Sequence, residues 1–204
     1  GLKGKKVTDY KTDAQWFSNT FSDYLKQALL NEEKSLTQIL KEGIAEIDNK
    51  FNNFAGAEEI EIKPSASIAI FRIVNDYLEY LVLGDCPIIL NTKKVKVITI
   101  KDLQKFDKNS LNRAKKYAKK HKINVSDSIP FINDVLISVR NKRNTPNGYW
   151  TLADNPKAID YALYERVKKE DVKQVVLVSD GFAQIYDLFK YFTPKNLLKE
   201  LDKC

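Results

Sequence analysis

The sequence contains no methionine, one histidine and two cysteines among its 204 residues. Methionine is a regular minor component of soluble proteins, so its absence predicts a piece of a longer chain or methionines omitted from the sequence. The single histidine, His121, lies among lysines, which argues against zinc sites built from several histidines and against a Ser–His–Asp triad. Cys86 and Cys204 are too few for a disulfide framework, so we expect a reducing, cytoplasmic location.

Clustered glycine and long apolar runs are also missing. The seven glycines are isolated from one another, so the sequence contains no glycine-rich phosphate-binding loop. No apolar run is long enough to span a bilayer, and residues 1–6 lack the apolar stretch of a signal peptide. We therefore expect no association with a membrane.

Positive charge is in excess, because the sequence contains 34 lysines and arginines but only 27 aspartates and glutamates, which gives a net charge of +7. The densest cluster lies between residues 113 and 122, where six basic residues alternate with a few apolar ones. This pattern favours the solvated face of an amphipathic helix over a nucleic-acid interface, because Tyr117 belongs to the apolar remainder of that helix and no known nucleic-acid signature accompanies the charges. We expect no nucleic-acid partner.

The spacing of apolar residues predicts two long amphipathic helices near the start of the sequence, over residues 13–30 and about 36–53. Each follows a capping-box pattern, which begins at Thr12 for the first helix and at Ser35 for the second. The aromatic residues on these helices are predicted to belong to the core.

After Pro64 the apolar period changes to that of strands. Residues 67–74 and 77–83 predict a hairpin around a two-residue turn, and residues 87–90 and 95–100 predict another. Together they predict an antiparallel meander, in which residues 84–86 form a bend or a bulge.

The remaining sequence predicts mainly helices. They lie between residues 101 and 140, from Pro156 to about Tyr164, at 181–191 and at 194–201, with one buried strand at 175–178. Strands and helices do not alternate regularly, which predicts an α+β fold with antiparallel sheets covered by helices.

Two acid–glycine corners offer the clearest chemistry in the sequence. The segments LVLGDC (81–86) and VLVSDG (176–181) each run an apolar strand into a turn. Such a turn leaves the carboxylates of Asp85 and Asp180 at the ends of buried strands, where oxygen ligands on rigid elements suit a hard divalent cation. Aspartate and glycine also dominate ordinary turns, so plain turns are the alternative.

The role of Cys86 follows from its neighbour. The thiol of Cys86 is expected to have a raised pKa beside Asp85, which favours the role of a small buried residue over that of a nucleophile. Sensitivity to oxidation is the lesser alternative.

Three segments in this order resemble the metal-dependent protein phosphatases of type 2C. They are the small-residue strand SASIAI (65–70), the turn GDC (84–86), which is GDS in the family, and the turn SDG (179–181). The pattern NGYW (147–150) followed by DNPKA (154–158) is similar to a bacterial branch of that family. Each motif is short, and their combination and order carry the resemblance.

The resemblance implies an antiparallel β-sandwich flanked by helices, with a binuclear Mn²⁺ or Mg²⁺ centre between the sheets. A metal-bound hydroxide would attack the phosphorus of a phosphorylated serine or threonine in a protein substrate. It implies that Asp180 and Gly181 bind the catalytic metals and that Asp85 helps to hold a third, weaker cation. Gly84 and Ser179 would shape the two turns.

The sequence also departs from the family. The family's first metal-binding elements and its closing acidic strand have no counterpart, and Cys86 stands in place of the usual serine. We therefore expect residues 1–204 to be one partial domain with a flap-like region at about 101–156 and an incomplete metal site. Three functions stay open: a phosphatase that is competent when whole, an inactive pseudophosphatase that acts as a binding module, and an unrelated α+β interaction domain. The sequence predicts neither the substrate nor the oligomeric state.

Overall fold

The computed structural model describes residues 5–100 and 102–203, so the expectations about residues 1–4 and about Cys204 lie outside the described residues. The α-helices in these ranges are α1 (Asp13–Ala28), α2 (Leu36–Asn52), α3 (Asp102–His121), α4 (Val125–Ser128), α5 (Asn133–Arg140), α6 (Asp180–Asp187) and α7 (Pro194–Leu201). The strands are β1 (Ile68–Val74), β2 (Tyr77–Leu83), β3 (Ile88–Asn91), β4 (Val95–Ile98), β5 (Leu163–Lys168) and β6 (Gln174–Leu177). Short 3₁₀ segments occupy Ala57–Glu59, Ile129–Ile132, Pro156–Tyr161 and Lys169–Asp171.

The first two helices begin where their capping residues predict. The hydroxyl of Thr12 accepts a hydrogen bond from the Gln15 N–H at 3.1 Å, and the hydroxyl of Ser35 accepts one from the Gln38 N–H at 3.2 Å. Both hydroxyls satisfy backbone donors that a helix leaves without an intrahelical partner. The prediction of helix α1 is confirmed, although the helix ends at Ala28, two residues before the predicted limit.

The strands form two antiparallel sheets, in the orders β1-β2-β5 and β4-β3-β6. The first predicted hairpin is confirmed, because Val74 pairs with Tyr77 and leaves a two-residue turn in which Asn75 has a φ of +53°. The second hairpin, β3 with β4, is confirmed as well.

The prediction of one continuous meander is wrong, because β2 and β3 lie in different sheets. Residues 84–86 therefore form the crossing between the two sheets and not a bulge within one. Each strand that flanks the crossing is the central strand of its own sheet and is almost completely buried. Because β2 pairs with β1 and β5, and β3 pairs with β4 and β6, the two strands cannot pair with each other.

The two sheets pack face to face with helices on their outer surfaces. Leu78, Tyr80 and Val82 of β2 meet Ile88 and Leu90 of β3 in the core between the sheets. Helices α1 and α2 cover the outer face of the first sheet, and α6 and α7 cover the outer face of the second. The predicted α+β sandwich flanked by helices is confirmed.

Helix α3 contacts α4, α5 and the 3₁₀ segment Ile129–Ile132, where the Tyr117 ring of α3 stacks on Phe131 at 5.1 Å between centroids. The predicted short helix after Asn155 is a 3₁₀ segment that ends at Tyr161, not at Tyr164. The strand β5 that follows was not predicted. No helix in the described ranges is both long and apolar enough to cross a membrane.

Candidate functional site

The two acid–glycine corners lie at the same end of the second sheet. Ile88 at the start of β3 pairs with Leu177 at the end of β6. Just beyond this pair, the Val178 N–H donates a hydrogen bond to the Pro87 carbonyl at 3.0 Å. Asp85 lies three residues before Ile88, and Asp180 lies three residues after Leu177. The fold therefore brings the two predicted site residues to the same end of the second sheet.

The first corner depends on Gly84, which is buried and has a φ of +93°. A Cβ atom on this residue would lie 2.2 Å from the Ser67 hydroxyl oxygen and 3.0 Å from the Ser67 Cα. Residues with side chains rarely adopt this backbone conformation, and the space for a side chain is already filled. Glycine is therefore required here both for the turn and for the close approach of Ser67, the residue before β1.

The carboxylate of Asp85 is half-buried and held by Ser67. The Ser67 hydroxyl donates to Asp85 Oδ1 at 2.5 Å, and the Asp85 N–H donates to the same hydroxyl oxygen at 3.3 Å. Sequence reasoning placed Ser67 in the small-residue strand but missed this role. The signal was available, since Ile68 pairs with Leu83 and the preceding residue must then lie beside Gly84.

The second corner begins helix α6. The Ser179 hydroxyl caps the helix by accepting a hydrogen bond from the Phe182 N–H at 3.2 Å. Asp180 is the first helical residue and is exposed, and within residues 5–100 and 102–203 its carboxylate makes no hydrogen bond or ion pair. A Cβ atom on Gly181 would meet nothing within 4 Å, so the space beside Asp180 is open.

Cys86 is the last residue of the first corner and contacts the second. Burial raises the pKa of its thiol, and the charge of Asp85 raises the pKa further, while a hydrogen bond from the backbone of Asp180 acts in the opposite direction. The expectation of a raised thiol pKa is confirmed. The thiol is half-buried, and its contacts show that Cys86 packs against the backbone of the second corner.

Residues 143–152 contact the segment just before Ser67. The Ala66 N–H donates to the Leu152 carbonyl at 2.9 Å, and the Thr151 hydroxyl donates to the Ala66 carbonyl at 2.6 Å. Arg143 donates to the Lys63 carbonyl at 2.7 Å, and burial lowers the pKa of its guanidinium group. The predicted flap-like region is thus joined by hydrogen bonds to the segment that precedes β1 and ends at Ser67, the residue that holds Asp85.

The donor set fits a hard divalent cation in kind but not in number. Carboxylate oxygens are the ligands that Mg²⁺ and Mn²⁺ prefer. However, the described part of the chain contains no group of three or more histidine, cysteine, aspartate or glutamate residues that could hold a metal ion. One of the two corner carboxylates is also engaged by Ser67. The described residues therefore do not form a binuclear centre by themselves.

Comparison with known protein families identifies a match over most of the chain. A family model described as "Protein phosphatase 2C" matches residues 11–202, which includes both corners and all six strands. Comparisons with curated proteins and with solved structures give no significant match.

Proposed function

The chain belongs to the protein phosphatase 2C family, and from this membership we propose that it hydrolyses phosphate monoesters on serine or threonine residues of phosphoproteins, with Mn²⁺ or Mg²⁺ as cofactor. Membership excludes the third function left open by the sequence, an unrelated interaction domain. The observation that best supports the proposal is the carboxylate of Asp180, which is exposed, has no partner among the described residues and lies at the same end of the second sheet as Asp85.

In this proposal Asp180 is a direct metal ligand. Its carboxylate is free of protein partners in the described ranges, and as the first residue of α6 it lies on a rigid element. Rigid placement lowers the entropic cost of ordering a ligand around an ion. Ser179 holds this position by capping the helix.

Asp85 has a supporting role in the same proposal. Because Ser67 engages one of its oxygens, the remaining oxygen is available to a third, weaker cation or to that cation's water. Gly84 fixes the turn that carries Asp85.

Metal ligation by Gly181 would have to use its backbone carbonyl. Carbonyls within an α-helix point along the helix axis toward the C-terminal end, which for Gly181 is the direction of Ile185. We therefore propose that Gly181 serves the site mainly by leaving the space beside Asp180 empty.

Bound divalent cations would supply a water of lowered pKa and neutralise charge on the phosphate oxygens. We propose two such ions, with a third at the corner of Asp85, and additional ligands beyond the two corner aspartates. The region at about 101–156 would act as a flap that contacts the protein substrate, and a cytoplasmic location fits the low cysteine content.

The proposal predicts that hydrolysis by the full chain requires Mn²⁺ or Mg²⁺ and Asp180. Asp180→Asn should lower the metal-dependent rate on p-nitrophenyl phosphate and on a phosphothreonine peptide by about tenfold or more, because an amide is a weaker ligand than a carboxylate. Asp187→Asn is the matched control, since it makes the same change at the exposed far end of α6. Hydrolysis that survives chelation, or that Asp180→Asn leaves intact, would contradict the proposal.

A pseudophosphatase is the second candidate, and it is favoured because the described residues contain no group of three or more potential metal ligands. A pseudophosphatase would fold normally and show no metal-dependent hydrolysis on either substrate. The same assay therefore separates the two candidates, because only the enzyme gives a rate that rises with added Mn²⁺.

A further inference from the structure

A lysine-rich groove lies at the end of the second sheet opposite the candidate metal site. We call it the lysine groove; it has a volume of about 630 Å³. Three separate parts of the chain form its walls: the β3–β4 turn with β4, the residue before β6, and the start of α7. Its lining residues are Asn91, Thr92, Lys93, Lys94, Val95, Val97, Lys173, Thr193, Pro194 and Lys195.

Four lysines and no acidic residue line this groove. Many exposed lysines elsewhere form ion pairs, for example Lys34 with Glu42 at 2.6 Å and Lys50 with Glu46 at 2.7 Å. The four groove lysines form no ion pair within residues 5–100 and 102–203. Their charges converge on one concave surface from three segments of the chain and repel one another without a bound anion.

The start of helix α7 adds one backbone donor to the same groove. Thr193 caps the helix and accepts a hydrogen bond from the Asn196 N–H at 3.2 Å, and Pro194 has no N–H. Among the described residues no acceptor takes the Lys195 N–H, so this donor of the first turn is available to a ligand. A helix N-terminus also favours negative charge, so backbone and side chains select the same kind of ligand.

We propose that the lysine groove binds an acidic segment of a protein, through the carboxylate or phosphate groups of that segment. This proposal rests on the proposed function, because it makes the groove a docking site for phosphoprotein substrates. Val95, Val97 and Pro194 provide apolar contact for the side chains of a peptide. The groove volume is within the usual range for ligand sites of about 300–1,000 Å³.

Nucleic acid fits the same groove less well. Proteins that bind single strands stack the bases on aromatic side chains, and no aromatic residue lines the lysine groove. The groove is also confined to one end of the second sheet, and its lysines do not form an extended basic surface that could follow a nucleic-acid backbone.

The lysine groove is separate from the candidate catalytic corner. Asn91 pairs with Gln174 at the groove end of strands β3 and β6, while Ile88 pairs with Leu177 at the corner end. The two pairs are roughly 10 Å apart along the strands. An anion in the groove is therefore not the phosphate that is hydrolysed, and the groove should affect substrate affinity rather than the chemical step.

The test measures binding directly and without metal, so that it does not depend on phosphatase activity. The probe is a fluorescent glutamate-rich peptide, followed by anisotropy with the full chain at low and high salt. Two double variants remove groove lysines. The first combines Lys93→Gln with Lys94→Gln, and the second combines Lys173→Gln with Lys195→Gln. The control removes two lysines from the exposed face of α3, Lys119→Gln with Lys120→Gln, and so changes the net charge equally.

Each groove double variant should weaken peptide binding by about tenfold and the control by less than about twofold. In the active protein, the groove variants should raise KM for an acidic phosphopeptide and leave the rate on p-nitrophenyl phosphate unchanged. Equal losses in groove and control variants, or no binding at low salt, would overturn the proposal. Tighter binding of an oligothymidylate with the same dependence on groove lysines would overturn the choice of a peptide.

Discussion

Replacement of Gly84 by alanine should lower the free energy of unfolding by about 3 kcal/mol. The backbone of Gly84 has a φ of +93°, and the new methyl group would lie 2.2 Å from the Ser67 hydroxyl oxygen and 3.0 Å from its Cα. A strained backbone conformation and a clash with the main chain of the neighbouring strand act together. Urea-induced unfolding of the full chain, followed by circular dichroism, measures the change.

Gly181→Ala is the matched control for this prediction. A methyl group on Gly181 meets nothing within 4 Å, and alanine favours the helical conformation of that residue. The free energy of unfolding should be unchanged or higher by up to about 1 kcal/mol. Equal stability of the two variants would show that the corner does not depend on the close approach of Gly84 and Ser67.

Replacement of Glu79 by glutamine should also cost about 3 kcal/mol of unfolding free energy, because it leaves a buried arginine without its counter-charge. The Glu79 side chain is 5% exposed and pairs with Arg72 at 3.0 Å, while Arg166 on the next strand pairs with its other oxygen at 3.1 Å. Arg72 also donates to the carbonyls of Asn31 and Lys34 and so joins the α1–α2 loop to the first sheet. Loss of the carboxylate therefore weakens both the sheet and its contact with the helices.

The control for Glu79 is Glu46→Gln, on the surface of α2. Glu46 pairs with Lys50 at 2.7 Å, and both side chains are about half exposed. Exposed pairs of this kind contribute less than about 0.5 kcal/mol. If both glutamine variants lost the same small amount, the buried network would not hold the helical layer on the sheet.

The parts of the fold that local chemistry determines could be predicted from the sequence. The caps at Thr12 and Ser35 and the turn at Asn75 each depend on a few neighbouring residues. The same is true of helix α7, which begins at Pro194 and ends at Leu201 as predicted. In these places side-chain hydrogen bonds and backbone preferences select one conformation before any long-range contact forms.

Strand β5 could not be predicted, because its sequence does not show the period of a half-buried strand. It is an edge strand, five of its six residues are exposed, and it contains Glu165, Arg166 and Lys168. It is a strand because it pairs with β2, where Arg166 lies opposite Glu79 and the Tyr80 hydroxyl donates to Glu165. Such cross-strand pairing is not visible in a local pattern.

The candidate site also combines features that the local sequence predicts with features that depend on contacts between distant segments. The corners around Asp85 and Asp180 could be predicted as turns that end apolar strands. The crossing from one sheet to the other and the hydrogen bonds of Ser67 depend on how β1 passes beside Gly84, which local periodicity does not show. The lysine groove was missed for the same reason, since its lysines come from three distant segments.

Metal binding at the two corners is tested most directly by adding Mn²⁺ to the isotope-labelled full chain and following its backbone amide signals. The paramagnetic ion broadens signals of nearby residues, and this effect does not require catalysis. We expect residues 84–86 and 179–181 to broaden together, and Asp180→Asn but not Asp187→Asn to abolish the effect. Broadening that avoids these residues, or that Asp180→Asn leaves unchanged, would contradict a shared metal site at the two corners.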